Sequence, residues 1–308
     1  MTKGVPETRS VCIEFRPKCI KMGRFKATMA EIPKAGCGFQ PQETWRQNIK
    51  MHALVLKLTK VRDADAIVDL LTQTDQVIHA YARNYRTSKK FPNSLELFSV
   101  YEMEFSRAGD GRYWLNSAYS EQVFSALTGD LVSFSCASAM LETIQVAHAE
   151  ETPMPNLFRT VLQAFAAMEA APEMAILVFA WVEARILYVQ QILPEMKICA
   201  GCGKKIERSS YFQQEEGFLC NVCVHGEENV TPSVYAAICR LIETPMQEVL
   251  ITAIRANDAE KRKRVLHEAT RLLAQCLRDA SSRRTLNAHA VMGESAFEDN
   301  NFLGTPVS

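Results

Sequence analysis

Four cysteines constrain this chain more than any other feature. They form two pairs, Cys199-Ala200-Gly201-Cys202 and Cys220-Asn221-Val222-Cys223, and 17 residues separate Cys202 from Cys220. Each C-x2-C closes a tight turn whose thiolates converge, and two such turns complete a tetrahedron around Zn²⁺. Gly201 and Gly203 remove side chains where the backbone must turn and let amides approach the sulfurs. Tyr211, Phe212 and Phe218 offer the ribbon a small apolar platform. A structural zinc ribbon is the reading this spacing favours, with a redox dithiol and unligated thiols as the alternatives. Four sulfur ligands leave no position for a water, which disfavours a hydrolytic zinc. His225, two residues past Cys223, reads as a surface neighbour rather than a fifth ligand.

Reading cysteines as ligands presumes a reducing compartment. Met1 to Ser10 carries Lys3, Glu7 and Arg9 without an apolar block, so no secretory signal is expected. The longest apolar run, Met174 to Val182, stops at Glu183 and Arg185, well short of the roughly 18 residues a membrane helix needs. A cytoplasmic protein with no membrane partner is the expectation. The other cysteines (Cys12, Cys19, Cys37, Cys136, Cys239 and Cys276) lack ligand spacing, and the last three fall in helical patterns where a small buried hydrophobe is usual.

Periodicity divides the rest. Residues 1–50 hold ten basic and four acidic side chains and are broken by Pro6, Pro17, Pro33 and Pro41, which reads as a weakly ordered basic extension. Better patterning begins at Met51, which raises the expectation of a natural start there. From 51 to 128 the chain reads as strands. Leu54, Leu56 and Leu58 alternate with Val55, Lys57 and Thr59, the period of a half-buried strand. Further strands fit Ala66 to Leu71, Val77 to Ala82, Phe98 to Arg107 and Arg112 to Ala118, the last two flanking the turn Gly109-Asp110-Gly111. Five short strands in so little chain favour a closed barrel, because closure removes edges. An OB-fold is the natural candidate, with an SH3-like barrel open on pattern alone.

The period then becomes helical. Helices fit Leu131 to His148, a segment capped by Asn156 and running to Ala171, and Glu173 to Leu193 with Pro172 in its first turn. The last is apolar on most faces and so belongs at the centre of a bundle. Thr231-Pro232 and Thr244-Pro245 repeat a cap-then-proline start, and a long helix fits Asp258 to Asp279. The expected fold class is α+β and multidomain: an N-terminal OB-fold barrel (51–128), a helical bundle in two parts (129–195 and 227–290) with the zinc ribbon (196–226) inserted, and a disordered tail (291–308).

Charge is segregated even though Lys plus Arg and Asp plus Glu are both 35. A uniformly basic nucleic-acid binder is excluded, and a locally basic one is not. Arg83, Arg86, Lys89 and Lys90 follow the third strand with Tyr81, Tyr85 and Phe91 interleaved. Cations attract phosphates and aromatic faces stack bases, which suits single-stranded nucleic acid. A solvated loop with tyrosines in the barrel core is the plainer alternative. Residues 255–284 carry nine basic and four acidic side chains, including Lys261, Arg262, Lys263, Arg264 and Arg271. Such a run is usually a solvated face, but at a helix start it opposes the macrodipole, a small cost that hints at phosphates or an acidic peptide. No G-x-S-x-G, G-x-x-x-x-G-K-[ST], G-x-G-x-x-G or H-E-x-x-H occurs, and the six histidines follow no motif. Asp63, Asp65 and Asp69 read as turn and surface residues rather than a metal cluster. The expectation is a protein that is not an enzyme.

Barrel, bundle and inserted four-cysteine ribbon in this order resemble the RecO family of bacterial recombination mediators. The residues that carry the resemblance are Ala53-Leu-Val-Leu-Lys57, Asp65 to Leu71 with Thr72, AYARNYRTSKK (Ala80 to Lys90), LELFSVYEMEF (Leu95 to Phe105) and the CAGCG…YFQQEEGFLCNVC ribbon. The likeness spans residues 51–290. Where the family usually places glycines around the third strand, this chain has Gln76 and Asn84 or Tyr85.

The resemblance implies a mediator that binds single- and double-stranded DNA (ssDNA and dsDNA) and anneals complementary strands. It also implies association with RecR and with the acidic C-terminal tail of single-stranded DNA-binding protein (SSB), so that RecA is loaded on coated strands. Within it, Lys57, Arg83, Arg86, Lys89 and Lys90 are the expected DNA contacts, with Lys263, Arg264 and Arg271 for DNA or the acidic tail. Two other classes compete. One is a zinc-ribbon scaffold that binds only protein; the other is a nucleic-acid-modifying enzyme.

Overall fold

The structure is a computed structural model. It describes residues 47–289 apart from 62, 92–94, 108, 110, 148–153, 207–209, 214–215, 225–227, 256–258 and 282–288. The expected basic extension up to residue 46, the expected tail, His225, Asp110, Asp258, and the cysteines at 12, 19 and 37 lie outside the described residues.

Five strands, β1 (Gln47–Lys60), β2 (Ala66–Thr72), β3 (Val77–Ala82), β4 (Ser99–Arg107) and β5 (Tyr113–Val123), close into a barrel in the order β1-β2-β3-β5-β4. All neighbours are antiparallel except β3 and β5, which run parallel through Ala80↔Tyr113 and Ala82↔Leu115. That closure is the OB-fold arrangement rather than an SH3-like one. β1 begins four residues before Met51, and Gln47 to Lys50 pair with Arg107 to Glu104 on β4. A chain starting at Met51 would leave the end of β4 unpaired on that side.

The half-buried pattern expected of β1 is not what its centre shows. Ala53, Leu54, Val55 and Leu56 are all buried. Ala53 and Val55 point into the barrel with Val68, Leu70, Met103 and Phe105, whereas Leu54 and Leu56 join a second core shared with the helices. Both faces of this strand are therefore dry, so its alternation is between two interiors rather than between core and water.

The helices are α1 (Leu131–Ala147), α2 (Leu157–Ala170), α3 (Ala175–Val189), α4 (Pro232–Glu243), α5 (Met246–Arg255) and α6 (Ala259–Ser281). α3 touches all five others and takes the central place its composition predicts. Pro172 starts a short 3-10 turn before it, and α3 stops at Val189, ahead of Gln191 in the left-handed region at φ +57°. Thr231 caps α4 by accepting the Val234 N–H at 3.4 Å. Among the described residues, no helix is long and apolar enough to cross a membrane.

Asn156 does not cap α2 as its residue type suggests. It sits at φ +64° and its side chain makes no capping bond. Asp75, in the turn between β2 and β3, takes that role across the domain boundary, accepting the N–H of Asn156 at 2.7 Å and of Phe158 at 2.9 Å. A carboxylate there satisfies orphan donors and complements the helix dipole, tying barrel to bundle.

The ribbon lies between α3 and α4. Strands β6 (Ser210–Gln213), β7 (Gly217–Leu219) and β8 (Glu228–Val230) form a small sheet in the order β7-β6-β8.

Candidate nucleic-acid interface and metal centre

The loop after β3 carries the expected DNA cations. Arg83, Arg86, Lys89 and Lys90 are all exposed, and Lys57 is exposed on β1 opposite Asp69. The loop is held at both ends. Tyr85 and Phe91 are 5% and 7% exposed, so they anchor it in the barrel core and are closed to stacking bases. The Lys90 carbonyl accepts the Ala118 N–H at 3.2 Å. Tyr81 is half-buried, with its ring edge-on to Trp114 at 5.1 Å.

Asp65 sets the loop's start. Its carboxylate accepts the Tyr81 hydroxyl at 2.6 Å and the Asn84 N–H at 2.8 Å, and it is 8% exposed, not the surface turn residue its sequence suggests. Asn84 stands at φ +54°, so the departure from glycine near this place is tolerated because Asn enters the left-handed region readily. Asp65→Ala removes two acceptors from a buried position and should cost about 1–3 kcal/mol in denaturant unfolding. Unchanged stability in that variant would show that Asp65 does not hold the loop.

The helical cations do not form one patch. Lys263 lines a groove of about 650 Å³ between the start of α3 and α4, α5 and α6. Arg271 borders a separate, smaller depression beside Glu268, and Arg264 is exposed without lining either. The groove floor is apolar, with Met174, Leu177, Leu241, Val249, Val265 and Leu266, and its other cations are Arg240, Lys261 and Arg262. Glu173 is the one acidic residue among those lining it. Four cations from two helices around an apolar floor have no single sequence window that would reveal them.

The four cysteines converge. Their sulfurs lie within 4.8 Å of one another, and those of Cys202 and Cys220 are 3.8 Å apart. Thiolates at about 2.3 Å from a tetrahedral ion stand about 3.8 Å from each other, so the donor set fits such an ion. Two knuckles build the site. Gly203 N–H donates to the Cys199 carbonyl at 2.8 Å, and Cys223 N–H donates to that of Cys220 at 3.1 Å. Gly201 is required for close approach, because a Cβ there would lie 3.1 Å from Cβ of Cys223. Burial works against ionising Cys199, yet the amides of Cys220, Cys202 and Gly201 bring its thiol down to about 6. The neighbouring sulfurs of Cys202 and Cys220 push Cys223 up to about 12, the behaviour of a thiolate cluster that needs a cation to ionise fully. Phe212 and Phe218 pack at 5.3 Å, and both merge with the helical core rather than forming a separate platform. Gly217 sits at φ +101° with its missing Cβ 2.9 Å from Pro194, which seats the ribbon on the chain leaving α3.

Comparison with known proteins places this architecture. Residues 47–124 match the family described as recombination protein O N terminal, and residues 128–287 match recombination protein O C terminal. The chain belongs to the RecO family. A protein named DNA repair protein RecO from Anaeromyxobacter dehalogenans is 29% identical over 202 residues, 63% of this chain and 79% of that protein. Another of that name from Dehalococcoides mccartyi is 27% identical over 229 residues, 68% of this chain and 89% of its own length. One from Bacillus pumilus is 26% identical over 175 residues, 57% and 68% of the two chains.

Within this RecO-family chain, the structure also gathers a charged cluster invisible to motif reading. His289, after α6, is buried with Nδ1 2.7 Å from Glu142 on α1 and Nε2 3.0 Å from Glu183 on α3. Thr143 Oγ1 lies 3.2 Å from the same Nε2, and the Phe179 ring stands edge-on at 5.7 Å. Burial opposes a charged imidazole, but hydrogen bonds to Glu142 and Glu183 raise it to about 9. Glu183, wholly buried, is itself pushed up by burial, and its Oε2 has no hydrogen-bond partner. The charge that ends the apolar run of α3 is thus an interior one.

Proposed function

We propose that this chain is a DNA repair and recombination mediator without catalytic turnover. It binds ssDNA and dsDNA, anneals complementary strands, and acts with RecR to load RecA on SSB-coated ssDNA. It works in the cytoplasm, on the nucleoid. The observation that carries the reading is the barrel loop: Arg83, Arg86, Lys89 and Lys90 are exposed together on a loop fixed by buried Tyr85, Phe91 and Asp65. Annealing requires lowering the repulsion between two phosphate backbones, and cations that grip strands without reading bases do that through counterion release. A pinned loop loses less entropy on binding than a free one. Lys57, exposed on β1, is a further DNA contact. Arg264 and Arg271 on α6 are secondary DNA contacts.

The groove edged by Arg240, Lys261, Arg262 and Lys263 takes the acidic C-terminal tail of SSB. An apolar floor accepts hydrophobic side chains while the cations meet carboxylates. Cys199, Cys202, Cys220 and Cys223 hold one structural Zn²⁺, which supplies cross-linking rather than chemistry because all four positions are filled by sulfur.

Annealing of complementary strands pre-coated with SSB tests the reading, with and without this protein and without ATP. Acceleration is the expected result. Charge reversal at Arg86 and Lys89 together should lower ssDNA affinity at least tenfold and reduce the salt slope by about 1.4, two contacts at roughly 0.7 each. Unchanged affinity and slope would remove the loop from the interface. Partner capture with no DNA affinity at low salt would instead establish a protein-only scaffold, and turnover of DNA or RNA would establish an enzyme.

A further inference from the structure

The sequence beyond His289 has the composition the groove selects. Residues 290–308 contain Glu294, Glu298 and Asp299, and no Lys or Arg follows Arg284. Two aromatic residues bracket two of the acids in the run Phe297-Glu298-Asp299-Asn300-Asn301-Phe302, followed by Leu303. The groove presents the complement, with an apolar floor of Leu177, Val249, Val265 and Leu266 and cations at Arg240, Lys261 and Lys263.

The tether is fixed and long enough. His289 is clamped between Glu142 and Glu183, so the segment leaves from a defined point on the bundle. Arg278, on α6, acts on Glu183 at that same cluster, and Val265 on α6 lines the groove. The 13 residues from Val265 to Arg278 rise about 20 Å along a helix. The eight residues from His289 to Phe297 span up to about 27 Å extended, and those to Phe302 reach further.

We propose that residues 290–308 occupy the groove between α3, α4, α5 and α6 and compete there with an incoming acidic peptide. The inference rests on the reading that this groove takes acidic peptides, and it adds a regulator carried by the chain itself. The linkage makes a weak contact effective. A short tether holds its segment at an effective concentration on the order of 1 mM, so an intrinsic Kd of about 0.1 mM lowers the affinity for an outside peptide about tenfold. A partner presenting several acidic tails displaces the segment, and the groove is then exposed only where such a partner is concentrated.

The test uses the intact chain and the intact double variant Phe297→Ala/Phe302→Ala, with a second chain ending at Ala290 as an independent route. Two fluorescent probes are titrated by anisotropy: a synthetic peptide of residues 290–308 and the isolated C-terminal tail of SSB. Both probes should bind the double variant and the shortened chain about tenfold more tightly than the intact wild type, and the difference should shrink as salt rises. Lys261→Glu/Lys263→Glu in the shortened chain should weaken both probes. If the SSB tail binds all three chains alike, the competition is refuted while the groove remains a tail site. If neither probe binds any chain, the groove reading itself fails and the competition falls with it.

Discussion

Cys199→Ser should release the metal and lower the thermal midpoint by about 10–15 °C. Cys199 is the most enclosed of the four, 1% exposed, and its sulfur accepts the Cys220 N–H at 3.3 Å, so it joins the two knuckles. Zinc-binding free energies in isolated fingers reach about 10–16 kcal/mol, but here the fold also rests on the bundle, so only part of such a sum is at stake. The ribbon is nevertheless not a detachable appendage. Phe212, Phe218 and Leu219 are buried in the helical core, and the Tyr235 hydroxyl of α4 donates to the Met196 carbonyl at 2.9 Å. Loosening the knuckles uncovers that apolar surface, a loss on the order of 4 kcal/mol. For a domain of this size each kcal/mol moves the midpoint by about 2–4 °C. Metal analysis should find one zinc per wild-type chain and none in the variant. Equal midpoints with no metal in the wild type would remove zinc from the account. Because the barrel cations stand on separate elements, DNA affinity measured well below the midpoint should stay close to wild type.

Removing His289 should be nearly as costly. Its imidazole is the partner of Glu142 and of Glu183, whose side chain is completely buried. Taking away one member of a buried charged cluster leaves the others uncompensated and typically costs about 3–5 kcal/mol. His289→Ala should therefore lower stability by that amount at pH 6.5. The pH dependence separates this from a simple packing defect. A folded-state imidazole at about 9, against 6.5 in the unfolded chain, stabilises fully below pH 6.5, and that stabilisation is lost as pH rises through about 9. Its upper bound is about 3 kcal/mol. Glu183, raised by burial, works in the same sense, because the folded form holds a proton the unfolded chain releases above its ordinary range. Wild-type stability should decline between pH 6.5 and 9, and the decline should flatten in His289→Ala/Glu183→Gln, which removes both titrating groups. Glu183→Gln, which keeps a hydrogen-bonding group beside Nε2, should cost less. A pH-independent wild type would show that His289 is neutral in the folded state.

Much of the architecture was legible because its signals are local. Alternation places β2 and β3 within a residue of their ends, and Thr231-Pro232 starts α4 because a hydroxyl acceptor before a proline is a start signal that needs no distant partner. The C-x2-C spacing picks out the four sulfurs that cluster because each knuckle folds within four residues. The misjudged residues have partners far away in the chain. Asn156 looks like a cap, but the cap is Asp75. Asp65 looks like a surface turn, yet it holds Tyr81 and Asn84 from within. Phe91 looks available for stacking and Tyr85 reads either way, and the barrel interior takes both.

The sequence by itself determined the strand and helix periods, the break points and the four cysteines that converge, since these depend on contacts a few residues apart. Only the tertiary structure decided which faces of β1 meet water, which cations share a groove, and that His289 closes on Glu142 and Glu183. Those outcomes follow from how the helices pack on one another and on the barrel, and packing joins side chains without regard to their separation along the chain.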